Sequence, residues 1–191
     1  IPRSRFAFTP ERRAFFKRYA DIKFGRDTMS FARLDALFES PIVSHLLVFT
    51  DTRTGAEVGT ATLYLEGRDL AYYYYAFYDL NYFQRSLGLY MMTSAVAEFA
   101  RQGGRHLYLG SCYSTNALYK TQFSGAEFFN GFRWSHNLRE LKYLLQRDRP
   151  GAEQHLVETT EFQQLFYDGD LRPILQASRF GGPLASFAPA R

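Results

Sequence analysis

Residues 72–88 read YYYYAFYDLNYFQRSLG and contain the transition that decides the fold. The aromatic run predicts a β-strand that ends at Tyr78 and Asp79, because aromatic residues favour the pleated conformation. After a loop, apolar residues recur at helical spacing from Gly88 to Phe99. The stretch therefore predicts a strand, a loop and a helix whose N-terminus faces the end of the strand.

The start of this helix is a candidate binding site for an anionic group or a developing oxyanion. The first turn of a helix carries N–H groups without intrahelical partners and the positive end of the helix dipole. A glycine at position 88 lets a ligand lie close to the backbone. We therefore expect one segment to bind the donor substrate: Gln84, Arg85, Ser86, Leu87 and Gly88. The alternative is an ordinary helix start with Ser86 as its N-cap.

The segments on either side of this stretch predict a mixed sheet covered by helices. Helices are expected from Thr9-Pro10 onward, over Ser30–Phe38 and over Asn116–Phe123. Strands are expected over His45–Thr50, Val58–Leu65, Leu70–Tyr78, His106–Ser111, Phe128–Trp134 and Glu140–Gln146. The first three strands predict an antiparallel meander, and a helical crossover leads to the fourth. This is an α/β fold whose sheet can splay after its central strand and leave a cleft. The order of elements resembles the N-acyltransferase fold of the GNAT superfamily.

The length of 191 residues fits one domain with an extension. We assign the α/β domain to residues 1–149. Helices around Thr160–Tyr167 and Leu171–Ala177 predict a helical extension over residues 150–177. The glycine, proline and alanine residues that follow predict a flexible tail over residues 178–191.

The composition excludes several classes of protein. Apolar residues make up 46% and charged residues 22%, which predicts a globular protein rather than a disordered one. No apolar run reaches the roughly 18 residues needed to cross a bilayer, so no membrane partner is expected. The single cysteine, Cys112, excludes an internal disulfide framework and favours a cytoplasmic location. The four histidines are scattered, and no metal site is expected.

The positive charge of the chain is local. The residues up to Arg18 carry a net charge of +5, so the remainder sums to −1. The predicted first helix presents several basic side chains to solvent, which favours an anionic partner such as RNA. The candidate RNA contacts are Arg12, Arg13, Lys17 and Arg18.

Three groups of residues match, in order and spacing, the motifs of one enzyme family. They are Phe16–Tyr19, then Phe77–Asp79 with Arg85–Gly88, then Tyr108–Gly110 with Tyr119, Lys120 and Phe123. On these residues the chain resembles the C-terminal domain of arginyl-tRNA–protein transferases and their bacterial leucyl-transferring relatives. That family attaches an amino acid from aminoacyl-tRNA to a protein N-terminus. The resemblance covers roughly residues 9–145.

The chain also departs from the family pattern. Leu80-Asn81 stand where the family has Pro-Asp, and Asn116 stands where it usually has Lys. The family's His soon after the Arg-Tyr pair is absent, and its cysteine-rich region has no counterpart in these residues. These departures bear on which amino acid is transferred and which acceptor is used. They do not alter the predicted fold.

The resemblance implies a direct transfer in which an amine attacks the ester carbonyl of aminoacyl-tRNA. Such a reaction needs no separate nucleophile and no bound cofactor, because aminoacyl-tRNA is a co-substrate. Asp79 is expected to take the proton of the acceptor amine or bind its ammonium, and the alternative is an Asx turn at the strand end. Tyr119 and Lys120 are expected on the short helix facing the same cleft. Lys120 would pair with the terminal phosphate or ribose of the RNA, and the alternative is a solvated surface lysine.

The predicted function is therefore transfer of an amino acid from aminoacyl-tRNA to an amine on a protein N-terminus, peptide or small molecule. One alternative is an N-acyltransferase that uses acyl-CoA. Such enzymes commonly resemble Q/R-x-x-G-x-G/A, whereas residues 84–90 contain one glycine and a bulky Tyr90. A second alternative is a domain that binds RNA or a protein without turnover. The tyrosines of residues 72–78 offer a stacking surface for a terminal adenine, or are simply sheet core.

Overall fold

The structure is a computed structural model that describes residues 1–146 and 156–177. Its described α-helices are α1 (Pro10–Phe24), α2 (Phe31–Glu39), α3 (Leu87–Arg101), α4 (Leu138–Leu144), α5 (Thr160–Tyr167) and α6 (Arg172–Ala177). Its described strands are β1 (His45–Thr50), β2 (Glu57–Glu66), β3 (Leu70–Tyr78), β4 (His106–Tyr108), β5 (Phe128–Phe129) and β6 (Trp134–Ser135). Short 3₁₀ helices cover Arg3–Arg5, Leu80–Arg85, Thr115–Thr121 and Leu156–Glu158.

The chain divides into two compact units, Ile1–Gly110 and the residues from Ser111 onward. The predicted boundary at residue 149 lies outside the described residues and stays a prediction, as does the flexible tail over 178–191. The two helices expected in the extension are confirmed as α5 and α6.

The first unit contains a four-stranded mixed sheet in the order β1-β2-β3-β4. The pairs β1–β2 and β2–β3 are antiparallel, and β3–β4 is parallel. This confirms the predicted meander and the helical crossover through α3. The parallel pairing covers only Leu70–Tyr72 of β3. The C-terminal part of β3 therefore extends past β4.

A β-bulge lies in the middle of β3. Ala61 faces Ala76 and Leu63 faces Tyr73, so the single residue Thr62 faces two residues of β3. The buried Thr62 hydroxyl accepts a hydrogen bond from the Tyr75 N–H at 2.9 Å and donates one to the Tyr75 carbonyl at 3.2 Å. The hydroxyl thus satisfies backbone groups that the bulge leaves unpaired, and a bulge bends and twists its strand.

The helices α1 and α2 cover one face of this sheet with aromatic side chains. Thr9 caps α1 by accepting from the Arg12 N–H, and Pro10 occupies the first turn, as predicted. The buried Phe16 ring lies 4.7 Å from Phe77 of β3 and 5.2 Å from Phe38 of α2, measured between ring centroids. These stacked rings fix the sheet against the two helices.

The second unit has its own small core. Its described buried members are Phe132, Leu144, Phe162, Tyr167 and Leu171. Of the two strands expected here, one is wrong and the other is interrupted. Glu140–Gln146 is not a strand but lies largely in α4, which begins because the Asn137 side chain accepts from the N–H groups of residues 139 and 140.

The other predicted strand of this unit is a hairpin. Residues 128–134 are interrupted because the Asn130 side chain accepts from the N–H groups of Phe132 and Arg133 and turns the chain. Two two-residue strands, β5 and β6, remain. Two further boundaries also differ, since the strand expected up to Ser111 ends at Tyr108 and the expected short helix is a 3₁₀ helix over Thr115–Thr121.

Candidate functional site

The N-terminus of α3 lies against the C-terminal end of β3. A Cβ placed on Gly88 would come within 2.7 Å of Cε1 of Tyr78, a separation that real Cβ atoms do not tolerate. Glycine at position 88 is therefore required for the ring of Tyr78 to pack on the first turn of α3. The sequence suggested that this glycine admits a ligand, and the structure adds a packing reason for it.

The segment between β3 and α3 is a 3₁₀ helix followed by one residue in the left-handed region. Ser86 has φ 54° and ψ 38°, and its N–H donates to the carbonyls of Phe83 and Tyr82. Its side chain makes no capping hydrogen bond to α3. Ser86 occupies the N-cap position of α3, as the alternative predicts, but it does so without a capping hydrogen bond from its side chain.

The side chains of the expected donor-binding residues divide into two groups. Gln84, Arg85 and Ser86 are exposed, whereas Leu87 is buried and anchors the first turn of α3 in the core. The first N–H groups of an α-helix have no intrahelical acceptor, and here no Ser86 hydroxyl competes for them. The segment can therefore present N–H donors and a guanidinium to an anionic group.

Asp79 follows β3 and forms the Asx turn that was the alternative prediction. Its Oδ1 accepts from the Asn81 N–H at 2.9 Å, and its own N–H donates to the Val58 carbonyl at 2.8 Å. The side chain is half-buried. The turn fixes the carboxyl group at the end of β3, next to the segment expected to bind the donor.

The tyrosines of β3 lie on both faces of the strand. Tyr73 is buried, and Tyr72, Tyr74 and Tyr75 are half-buried. The rings of Tyr74 and Tyr75, the two residues of the bulge, lie 4.5 Å apart in an edge-on arrangement. Burial raises the pKa of the Tyr72 hydroxyl. These half-buried rings keep the prediction of a stacking surface open.

Tyr119 and Lys120 lie in the second unit, on the 3₁₀ helix Thr115–Thr121. The half-buried Lys120 donates from its ammonium to the carbonyl of the exposed Ser111 at 2.8 Å. Burial lowers the pKa of Lys120, and the nearby Cys112 thiol acts in the opposite direction. Tyr119 is half exposed.

Cys112 lacks the features of an activated nucleophile. Burial raises the pKa of its thiol, an effect that Lys120 opposes only in part. Reactive cysteines have a lowered pKa, because the thiolate is the reactive form.

Three of the four candidate RNA contacts on α1 make ion pairs within the first unit. Arg12 pairs with Glu57 at 2.6 Å, Arg13 pairs with Asp35 at 2.6 Å, and Lys17 pairs with Asp21 one helical turn away. These three side chains are partly buried, so their exposure to solvent is reduced but not lost. Arg18 is exposed, and within the described residues it makes no ion pair.

Asp51 and Tyr82, whose side chains join two loops of the first unit, were not predicted from the sequence. The Tyr82 hydroxyl donates to Asp51 Oδ2 at 2.6 Å across 31 positions of sequence. The only local signal was the turn-forming sequence Asp51–Gly55, which does not reveal a distant partner.

Within the described ranges 1–146 and 156–177, no group of three or more His, Cys, Asp or Glu side chains could hold a metal ion. No helix of these ranges has the length and apolar character needed to cross a membrane.

The chain is similar to curated leucyltransferases. The chain is similar to the aspartate/glutamate leucyltransferase of Ruegeria pomeroyi, with 30% identity over 134 residues that represent 66% of this chain and 48% of the relative. A second aspartate/glutamate leucyltransferase, from another Ruegeria species, is 29% identical over 166 residues, which represent 82% of this chain and 59% of that relative. No family model and no solved structure matches the chain.

These similarities confirm the resemblance drawn from the motifs. The chain is a distant relative of the transferases that move an amino acid onto another molecule. More particularly, it is a distant homologue of the bacterial aspartate/glutamate leucyltransferases. The chain spans about half the length of the curated relatives it matches.

Proposed function

We propose that this chain is an aminoacyltransferase that moves an amino acid from aminoacyl-tRNA to an amine acceptor. The observation that carries the proposal is the start of α3, which packs on the end of β3 in a chain homologous to leucyltransferases. The names of the relatives suggest the first substrates to test. They are leucyl-tRNA as donor and peptides with an N-terminal aspartate or glutamate as acceptors.

We further propose a GNAT-type arrangement of the first unit. Four features support it: the antiparallel meander β1–β3, the parallel strand β4 after a helical crossover, the bulge in β3, and the short β3–β4 pairing. A sheet that opens after its central strand exposes backbone groups along that strand, where a donor can be held. In this arrangement the donor lies along the C-terminal part of β3, beside the first turn of α3.

The proposed reaction forms one amide bond and breaks one ester bond. The acceptor amine attacks the ester carbonyl of aminoacyl-tRNA, and the carbonyl oxygen becomes an oxyanion in the tetrahedral intermediate. Collapse of the intermediate releases the 3′-terminal ribose oxygen of the tRNA, which takes up a proton. The proton lost by the amine goes to Asp79 or to water, so the step needs no oxidant, metal or covalent enzyme intermediate.

We propose a separate role for the candidate residues of each unit. The N–H groups at the start of α3, with Gln84, Arg85 and Ser86, bind the phosphate or carbonyl of the donor. Asp79 binds the ammonium of the acceptor and takes its proton. Lys120, together with Tyr119, is assigned to the 3′ end of the tRNA, where an ammonium favours contact with phosphate.

The decisive experiment measures transfer and binding on the same protein sample. The chain is incubated with tRNA charged with labelled leucine and with a peptide that begins with aspartate or glutamate. Label that becomes stable to mild alkali shows that an amide has replaced the ester. Calorimetry with leucyl-tRNA and with acetyl-CoA then identifies the donor class.

Each outcome decides between the functions. Formation of alkali-stable peptide label supports the proposal, and tRNA charged with other amino acids defines the donor specificity. Binding of acetyl-CoA without binding of tRNA would establish the acyl-CoA alternative. Binding of tRNA or peptide without transfer would establish the non-catalytic alternative. The variant Lys120→Ala should reduce transfer, whereas the exposed Lys142→Ala serves as a matched control on the same unit.

A further inference from the structure

The 3₁₀ helix Leu80–Arg85 is attached to the sheet through one partly buried hydrogen bond. The Tyr82 hydroxyl donates to Asp51 Oδ2 at 2.6 Å, and Asp51 lies in the turn directly after β1. The bond therefore joins the loop before α3 to the loop between β1 and β2. A charge-assisted hydrogen bond of this length is among the stronger contacts that a tyrosine can make.

Asp51 is itself fixed, so it can serve as a rigid anchor. Its Oδ1 accepts from the Arg53 N–H at 2.8 Å, its carbonyl accepts from the Gly55 N–H at 2.8 Å, and its N–H donates to the Ala56 carbonyl at 2.9 Å. The side chain is only 8% exposed. The hydrogen bonds with Tyr82 and the Arg53 N–H lower the pKa of Asp51, which keeps the group ionised at neutral pH.

The other side-chain attachments of the segment are weaker. The Lys23 ammonium lies 4.0 Å from the ring centroid of Phe83, but that ring is 57% exposed. The contact of the Arg85 guanidinium with the Tyr82 ring, at 5.6 Å, lies within the segment itself. Exposed cation–π contacts contribute less than a partly buried hydrogen bond to a carboxylate. Apart from the Asx turn of Asp79, which holds the Asn81 N–H at the start of the segment, Tyr82 is its main polar side-chain attachment.

The residue after this 3₁₀ helix needs external support. Ser86 adopts the left-handed region, which non-glycine residues occupy at a cost, and its N–H is turned back onto the carbonyls of Tyr82 and Phe83. The Ser86 N–H thus links the start of α3 to the backbone of Tyr82 and Phe83, in addition to the packing of Leu87 and Gly88.

We propose that Asp51 and Tyr82 are positioning residues, which hold residues 84–88 in the conformation that binds the donor. The inference rests on the proposed function, because it assigns the segment to the aminoacyl-tRNA site. Without the Tyr82–Asp51 bond the segment populates other conformations. If the binding conformation falls to about one tenth of the population, the apparent Kd for the donor rises about tenfold.

The test compares three variants of the full chain. Tyr82→Phe removes the hydroxyl and keeps the ring beside Arg85. Asp51→Asn removes the negative charge of the side chain that accepts the hydrogen bond. The matched control is Tyr64→Phe, because Tyr64 also donates its hydroxyl to a carboxylate, that of Glu66 on the same strand. Hydrogen exchange of the amides of residues 80–89 and steady-state kinetics with leucyl-tRNA are measured for each.

The expected result is faster exchange in residues 80–89 for Tyr82→Phe and Asp51→Asn, with wild-type exchange for Tyr64→Phe. The KM for leucyl-tRNA should rise about tenfold in the first two variants, and kcat should change less than threefold, because the reacting groups are unaltered. An unchanged KM, or a fall in kcat alone, would overturn the positioning role.

The hydrogen-exchange and kinetic measurements together distinguish failure of the inference from failure of the proposed function. If the wild-type chain transfers no amino acid and binds no aminoacyl-tRNA, the proposed function fails and the donor assignment fails with it. The exchange measurement still decides whether the pair holds the segment. Wild-type exchange in Tyr82→Phe would overturn the inference even where transfer is observed.

Discussion

The ring of Tyr78 occupies the space that a side chain at residue 88 would need, with Cε1 only 2.7 Å from the position of a Cβ on Gly88. Tyr78 is itself buried, and its ring lies 4.8 Å from that of Tyr19 on α1. It cannot move aside without disturbing α1. The last residue of β3 and the first turn of α3 are therefore fixed against each other.

Gly88→Ala should destabilise the first unit by about 1–3 kcal/mol, because the added methyl group overpacks the contact with Tyr78. Chemical unfolding followed by far-ultraviolet circular dichroism measures this. The double variant Gly88→Ala/Tyr78→Leu should recover part of the stability lost through the clash. Recovery of stability without recovery of transfer would assign Gly88 to the donor site as well, whereas a fully additive pair would contradict the packing explanation.

Asp79→Asn separates the charge of Asp79 from its role in the turn. The asparagine side chain retains an oxygen that accepts from the Asn81 N–H, so we expect stability to change little. Loss of the general base should reduce the transfer rate about 10²- to 10⁴-fold. Transfer assays and thermal unfolding of Asp79→Asn and Asp79→Ala provide the comparison. Wild-type transfer by Asp79→Asn would limit Asp79 to the turn.

The sheet and its surrounding helices were predictable because their signals are local. Thr9 and Ser30 act as N-caps, Pro10 starts α1, and the three strands of the meander are separated by turn residues. Residues 140–146 were predicted incorrectly because Leu141, Tyr143 and Leu145 alternate like a strand. The buried pair Leu141 and Leu144 instead follows a helical spacing.

The features that shape the candidate site depend on distant partners. The bulge at Tyr74 and Tyr75 is supported by Thr62 on the neighbouring strand, and the loop before α3 is attached through Asp51. Neither pairing leaves a periodic signal in the sequence. Sequence motifs could therefore indicate which segment to propose as the donor site, but not the distant residues that contact that segment.

Arg12→Gln should affect the stability of the protein, whereas Arg18→Gln should affect its binding of tRNA. Arg12 pairs with Glu57 through two guanidinium nitrogens, so its loss should reduce stability by up to about 1 kcal/mol. Arg18 is exposed, and if it contacts tRNA its loss should reduce the slope of log K against log salt by roughly 0.7–0.9. Filter binding of tRNA at several salt concentrations measures the slope. Equal slopes for wild type and Arg18→Gln would remove Arg18 from the RNA surface.

Glu140→Ala should destabilise the second unit strongly. The fully buried Glu140 carboxylate accepts hydrogen bonds from Asn130 at 2.6 Å, from Ser135 at 2.7 Å and from the Tyr167 hydroxyl. Each buried donor left without a partner costs about 1–3 kcal/mol. Trp134, the single tryptophan of the chain, lies beside Ser135, so its fluorescence during urea unfolding reports on this unit.

Glu127→Ala is the control for that measurement. Glu127 pairs with His136 at 3.0 Å in a partly exposed position. Its removal should change stability by less than about 1 kcal/mol. Similar losses for the two variants would show that the buried network does not stabilise the unit.

The stabilising effect of the Asp51–Tyr82 bond should be confined to a defined pH window. The pKa of Asp51 is lowered, first by the hydrogen bond from Tyr82 and then by that from the Arg53 N–H. The carboxylate therefore contributes stability above the ordinary carboxyl pKa of about 4, and this is lost as the pH falls through its lower folded-state pKa. The hydrogen bond to Asp51 also raises the pKa of Tyr82. That contribution is complete below the ordinary tyrosine pKa of about 10 and is lost as the pH rises through the raised value.

The difference in unfolding free energy between wild type and Tyr82→Phe should consequently be constant between about pH 5 and pH 9 and shrink on both sides. Urea unfolding across this range measures it. Asp51→Asn should show a weaker loss of stability on acidification than wild type, because the titrating carboxylate is gone. A Tyr82→Phe difference that persists unchanged at both extremes would mean that the hydroxyl acts through packing rather than through the ionised partner.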